Sequence, residues 1–149
     1  MELIRVLLRA CKGLPMSSDP VEIEHIIVRA DRVVCDIAER EDCLTTDAGM
    51  ARRACATHPN LLRHACVNSC GDTFGAVIGR TSVPHLLEHL VVDMLTERTT
   101  DEHAVFVGTS EWTDREAGKA RVQVSLTDDL AVLRAFRDAV SFMNEEVIQ

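Results

Sequence analysis

The sequence predicts a two-layer α/β domain of the α+β kind, with helices packed on a mainly antiparallel sheet. Three observations lead there. Apolar runs of strand length are interspersed with longer segments of helical periodicity. Residues 119–126 alternate strictly, with Ala120, Val122, Val124 and Leu126 on one side and Arg121, Gln123 and Ser125 on the other, as in a half-exposed strand. Aromatic residues are scarce, with one Trp, four Phe and no Tyr, so the core must be aliphatic. The 149 residues are read as one domain, 1–149, large enough to bury a single core.

Residues 3–10 form a short apolar run of the kind a buried strand needs, interrupted by Gly13, Pro15, Ser17 and Ser18. Asp19-Pro20 has the form of a helix cap followed by proline at the first helical position. Ile23, Ile26, Ile27, Ala30, Val33, Val34 and Ile37 recur at three and four, which predicts an amphipathic helix to about Arg40. Thr46-Asp47 starts a shorter helix that carries Met50 and ends before His58-Pro59. Leu61 to Val67 is read as a strand, followed by a loop containing Gly71, Gly75 and Gly79 around Phe74 and Ile78. Ser82 caps a helix with Pro84 in its first turn that runs to about Glu97. Ala104 to Gly108 is read as a buried strand. Thr127 caps the last helix, whose apolar face is Leu130, Leu133, Phe136, Val140 and Met143.

The formal net charge of −8 disfavours nucleic-acid backbones and anionic membrane surfaces as partners. No stretch has the length of a membrane span, and the apolar run after Met1-Glu2 is too short and too charged for a signal peptide. The expected compartment is the cytoplasm. There the six cysteines are expected reduced, with Cys11, Cys35 and Cys55 as buried thiols.

Chemistry concentrates on helix 82–97. Almost every position there is apolar, from Leu86 to Leu95, except His85, Glu88, His89 and Asp93. Spacings of three and four place these four on one stripe. A buried helix tolerates such a stripe only if its members are paired or hold an ion. The order His85-Leu86-Leu87-Glu88-His89 is the inverted zincin motif, expected by chance in roughly 2% of chains of this composition. It sets two imidazoles one turn apart to grip a metal, with the Glu88 carboxylate beside them as a general base. One Zn²⁺ per chain is expected. Two His are too few for zinc, so Glu111 is taken as the third ligand, with His64 and Cys66, two apart, as rivals. Asp93 is read either as an acceptor for the outer nitrogen of His89 or as a solvated acid. His25, His58 and His103 are read as surface or turn residues.

Several blocks in order carry a resemblance. They are Pro59-Asn60-Leu61, then His64-Ala65-Cys66, then Gly71 to Gly75 around Phe74, then Arg80-Thr81 before the His-x-x-Glu-His run and Asp93. Residues 58–147 resemble the N-terminal domain of cyanophycin synthetases, which build an aspartate–arginine storage polymer. The family's next block, Gly-x-Gly-Arg-Thr-Arg-Glu-Thr, is reduced here to Phe106–Trp112, keeping Thr109 and Glu111 and losing both arginines. The resemblance implies an α/β domain that either clips the polymer as a metal-dependent hydrolase or docks on it. The ATP-grasp and Mur-ligase-like domains of a synthetase have no counterpart in this sequence. The expected function is thus a zinc-dependent hydrolase of an amide or isopeptide bond in a peptide or cyanophycin-like polymer. His64 and Cys66 would lie near the substrate or behind the metal ligands. The alternative is a non-catalytic module that binds a peptide or partner and has a structural or vestigial metal site.

Overall fold

The structure is a computed structural model that describes residues 18–145 and the backbone of Arg5–Val6. It has the expected α+β architecture. Strands β1 (Arg5–Val6), β2 (Val21–Val28), β3 (Arg32–Glu39), β4 (Gly108–Asp114) and β5 (Lys119–Ser125) form one antiparallel sheet in the order β1-β2-β3-β5-β4. Helices α1 (Ala48–Thr57), α2 (Val83–Arg98) and α3 (Asp129–Asn144) complete the fold. Helices α2 and α3 pack on each other and cover one face of the sheet. The buried apolar side chains of both layers form one cluster, including Val33, Cys35, Ile37, Val122, Leu86, Leu90 and Phe136. The opposite sheet face carries the apolar pair Ile27–Val34 and polar pairs, with Arg121 bonded to Asp36 at 2.7 and 3.1 Å and Lys119 paired to Glu24.

The predicted helix from residue 20 to 40 is instead the β2–β3 hairpin. Its three-and-four spacing is a coincidence of three causes: a bulge between Ile23 and His25 sets Ile23 and Ile26 three apart, Ile27 and Val34 pair on the opposite sheet face, and Ala30 lies in the turn. On β3 the strand period is intact, and Val33, Cys35 and Ile37 all lie at 0% exposure on the core face. The connecting turn, Arg29-Ala30-Asp31, has no glycine, proline or asparagine to mark it; it closes through Arg29 N–H donating to the Arg32 carbonyl at 2.8 Å. Of the strand expected at 3–10, Arg5–Val6 pairs with Ile27 and Ile26, and the rest lies outside the described residues.

Three other boundaries shift. The strand expected at 61–67 is a 3-10 turn, Pro59–Arg63, followed by an extended stretch with a single bridge between Ala65 and Thr73. The strand expected at 104–108 begins only at Gly108, and Val105 and Val107 before it are 75% and 61% exposed. The cap of α3 is Asp128, whose side chain accepts from the Ala131 N–H, rather than Thr127; Leu130 is exposed, and Phe136, Val140 and Met143 are buried as expected. Helix α1 follows the sequence reading, with Asp47 accepting from the Met50 N–H at 2.8 Å.

The core face of β3 ends on a carboxyl group. Glu39 is buried, and neither of its oxygens has a hydrogen-bond partner. Burial pushes its pKa up to about 8. The folded chain therefore holds this proton more tightly than the unfolded chain. Stability is full below the ordinary glutamate range and falls as pH rises through about 8. Glu39→Gln is expected to stabilise the fold by on the order of a few kcal/mol at pH 8 and by much less at pH 5. Thermal melts of both chains at the two pH values measure this; an equal gain at both would show that ionisation of Glu39 is not the cause.

Candidate metal centre

Helix α2 begins after Ser82, with Pro84 in its first turn, and its apolar side chains Leu86, Leu87, Leu90 and Val91 are fully buried. That packing fixes the helix rotation. It directs His85, His89 and Asp93 toward the segment between α1 and α2 and directs Glu88 toward β4. The segment is held in place by close backbone approach. A Cβ at Gly75 would lie 2.7 Å from the Leu62 carbonyl oxygen, so the 3-10 turn Phe74–Ala76 needs glycine there. Phe74 N–H donates to the His64 carbonyl at 2.9 Å, and Cys66 N–H donates to that of Asp72 at 3.1 Å. His64 and Cys66, two residues apart on this short paired stretch, both face α2.

Three side chains converge. His85 Nε2 lies 3.2 Å from His89 Nε2 and 3.4 Å from Cys66 Sγ, and one ligand atom from each of the three residues falls within 4.8 Å of the others. Metal–nitrogen and metal–sulfur bonds of about 2.0–2.1 and 2.3 Å give a tetrahedron with edges of about 3.3–3.6 Å. The two spacings from His85 are close to these, so the group could hold a metal ion. Around it, Thr81 Oγ1 stands 2.8 Å from His85 Nδ1. Thr81 is itself fixed, because its N–H donates to Thr46 Oγ1 at 2.9 Å. The ring of Phe74 stacks on His89 with centroids 4.0 Å apart and meets His85 edge-on.

Behind His89 runs a chain of polar contacts. His64 Nδ1 is 3.1 Å from His89 Nδ1, His64 Nε2 is 3.0 Å from Asp93 Oδ1, and His58 Nδ1 is 2.9 Å from Asp93 Oδ2. Asp93 is 1% exposed, so it is not a solvated acid, and its oxygens meet His64 and His58 rather than the outer nitrogen of His89. His58 is buried rather than a surface or turn residue, edge-on to Phe142. His58, Asp93 and the exposed Glu97 form a second group of potential metal-binding atoms one turn further along α2.

The electrostatics favour ligation. Burial lowers the His85 pKa, and burial together with neighbouring His85 and His64 pushes His89 down to about 3. Both imidazoles are therefore neutral at physiological pH, as a metal requires. Burial pushes the Asp93 carboxyl up, but hydrogen bonds from His64 and His58 outweigh it and hold the group below its ordinary range. For Glu88 burial is the larger effect; it raises the pKa against the opposing hydrogen bond from Ser110, whose Oγ donates to Oε2 at 2.8 Å.

Glu111 does not join this group. On β4, Ser110 turns toward α2 and reaches Glu88, so strand alternation sends Glu111 to the outer face, where it is exposed opposite Arg121. Cys66 stands where a third ligand is needed. Sequence reasoning also missed Thr81, four residues before His85, and Ser110. Thr81 precedes the Ser82 cap and so lies outside the helical repeat that links His85 to His89. No protein-family model, no curated protein and no solved structure matches this chain. Among the described residues, no helix is long and apolar enough to cross a membrane, and the five cysteines are free thiols.

Proposed function

We propose that the chain is a zinc-dependent hydrolase acting on an amide or isopeptide bond of a peptide or cyanophycin-like polymer. The observation that carries this is the convergence of Cys66, His85 and His89, with the half-buried Glu88 one residue before His89 on the same helix. Two imidazoles and a thiolate suit zinc and not the oxygen-seeking Mg²⁺ or Ca²⁺. Three protein ligands, with no fourth among the described residues, is the count of a catalytic site rather than a closed structural one. When bound, the ion polarises the scissile carbonyl and activates water as a nucleophile. Glu88 takes the proton of the attacking water and returns it to the leaving nitrogen, and its raised pKa brings it nearer to neutral pH, where such a base works best. Thr81 holds His85 in place while this occurs.

One observation favours a binding module instead. The Glu88 carboxylate is tied to Ser110 and packed against Gly108, where a Cβ would lie 2.6 Å from Glu88 Cγ. Incubating the zinc-loaded, untagged chain with β-linked aspartyl-arginine and Arg-rich peptides separates the two. Cleavage that a chelator abolishes and added zinc restores is expected. Peptides that bind without being cut would move the reading to the docking module.

A further inference from the structure

Two neutral imidazoles can present their Nε2 lone pairs to one ion only if each carries its proton on Nδ1. For His85 the Thr81 hydroxyl can accept that proton. For His89 the nearest group is another imidazole, His64, and nothing in the chemistry of a lone His–His pair says which ring donates.

The rest of the chain decides it. Asp93, as a carboxylate, can only accept. Its Oδ1 is 3.0 Å from His64 Nε2, so that nitrogen carries a proton. With its Nε2 proton directed at Asp93, His64 offers Nδ1 as an acceptor 3.1 Å from His89 Nδ1. His89 Nδ1–H donating there leaves its Nε2 unprotonated, facing His85 Nε2 at 3.2 Å. His58 occupies the other Asp93 oxygen at 2.9 Å and stops the carboxylate from turning.

We infer that His64 is a positioning residue that fixes the protonation pattern of His89 for metal binding, with Asp93 and His58 fixing His64 in turn. A histidine stands between ligand and carboxylate here, where a direct His–carboxylate pair would be the simpler device. The inference rests on the metal-site reading above, since without an ion the orientation of His89 has nothing to serve.

The test combines two measurements. Ring nitrogen–proton correlation spectra of the ¹⁵N-labelled, zinc-loaded chain should show His64 protonated on Nε2 and His89 on Nδ1. Zinc affinity should then be measured by competition with a chromophoric chelator for wild type, His64→Ala, His64→Asn and His64→Gln. The alanine variant should bind about 10–100-fold more weakly. Asparagine places an oxygen near the Nδ1 position and should recover most of the loss. Glutamine reaches toward Asp93 instead and should not. Cobalt substitution checks that each variant keeps the Cys66 thiolate-to-metal absorption band, so that a fall in affinity is not a lost fold.

If all three variants bind like wild type, or His64 is protonated on Nδ1, the inference fails while the metal site stands. Rescue by glutamine and not by asparagine would also overturn it, by showing that His64 serves only to keep Asp93 paired. Wild-type chain that takes up no zinc at micromolar concentration would overturn the metal-site reading and this inference together.

Discussion

Glu88→Gln is expected to keep zinc and fold normally, yet to lose 10²–10⁴-fold in hydrolysis, the usual worth of a positioned general acid–base. The amide keeps the size of the side chain and can still accept from Ser110, which donates to Glu88 Oε2 at 2.8 Å. It cannot take a proton. Burial raises the Glu88 pKa against the Ser110 hydrogen bond, so the wild-type carboxylate accepts a proton more readily than a free glutamate does. The measurement is kcat on any peptide that the zinc-loaded wild type cleaves, with metal content determined on the same sample. Equal turnover in the two proteins would remove Glu88 from the mechanism, and a parallel loss of zinc would show a structural effect.

The second large effect concerns the ligands. Cys66→Ser, His85→Ala and His89→Ala are each expected to weaken zinc binding by more than the 10–100-fold typical of residues behind the ligands. Wild type should bind close to one ion per chain. Glu111→Ala should bind as wild type does, because Glu111 is exposed on the outer sheet face opposite Arg121. The contrast between Cys66 and Glu111 is sharp enough for equilibrium dialysis with metal analysis to decide. Loss of zinc in the Glu111 variant with full binding in Cys66→Ser would reverse the assignment.

The parts of this arrangement that can be read from sequence are those that depend on one element alone. The His85–His89–Asp93 stripe is a property of helical period, and α2 announces itself through Pro84 and its unbroken apolar run. The α+β class follows from the same local patterns. What could not be read depends on how elements meet. The choice between Cys66 and Glu111 turns on where β4 begins. A strand at 104–108 leaves Glu111 just past its end and free to approach the helix, whereas a strand from Gly108 commits it to the outer face. The β2–β3 hairpin was hidden by its bulge at Ile23–His25 and by apolar Ile27 and Val34 on its outer face, which together make two strands look helical in one dimension. His58 gave no local signal, since its role comes only from an aspartate 35 positions away in sequence.

The two halves of the metal centre differ in what holds them. His85 and His89 belong to a helix locked by Leu86, Leu87, Leu90 and Val91 in the core. Cys66 belongs to a stretch with one isolated bridge, a few backbone hydrogen bonds and glycine-dependent turns. An ion gripped by both therefore works as a clasp, closing the chain between Cys66 and His85 into a ring and withdrawing that stretch from the conformations it could otherwise sample. Its binding free energy is shared between coordination and the ordering of this span. Metal occupancy and protease resistance between α1 and α2 should rise and fall together.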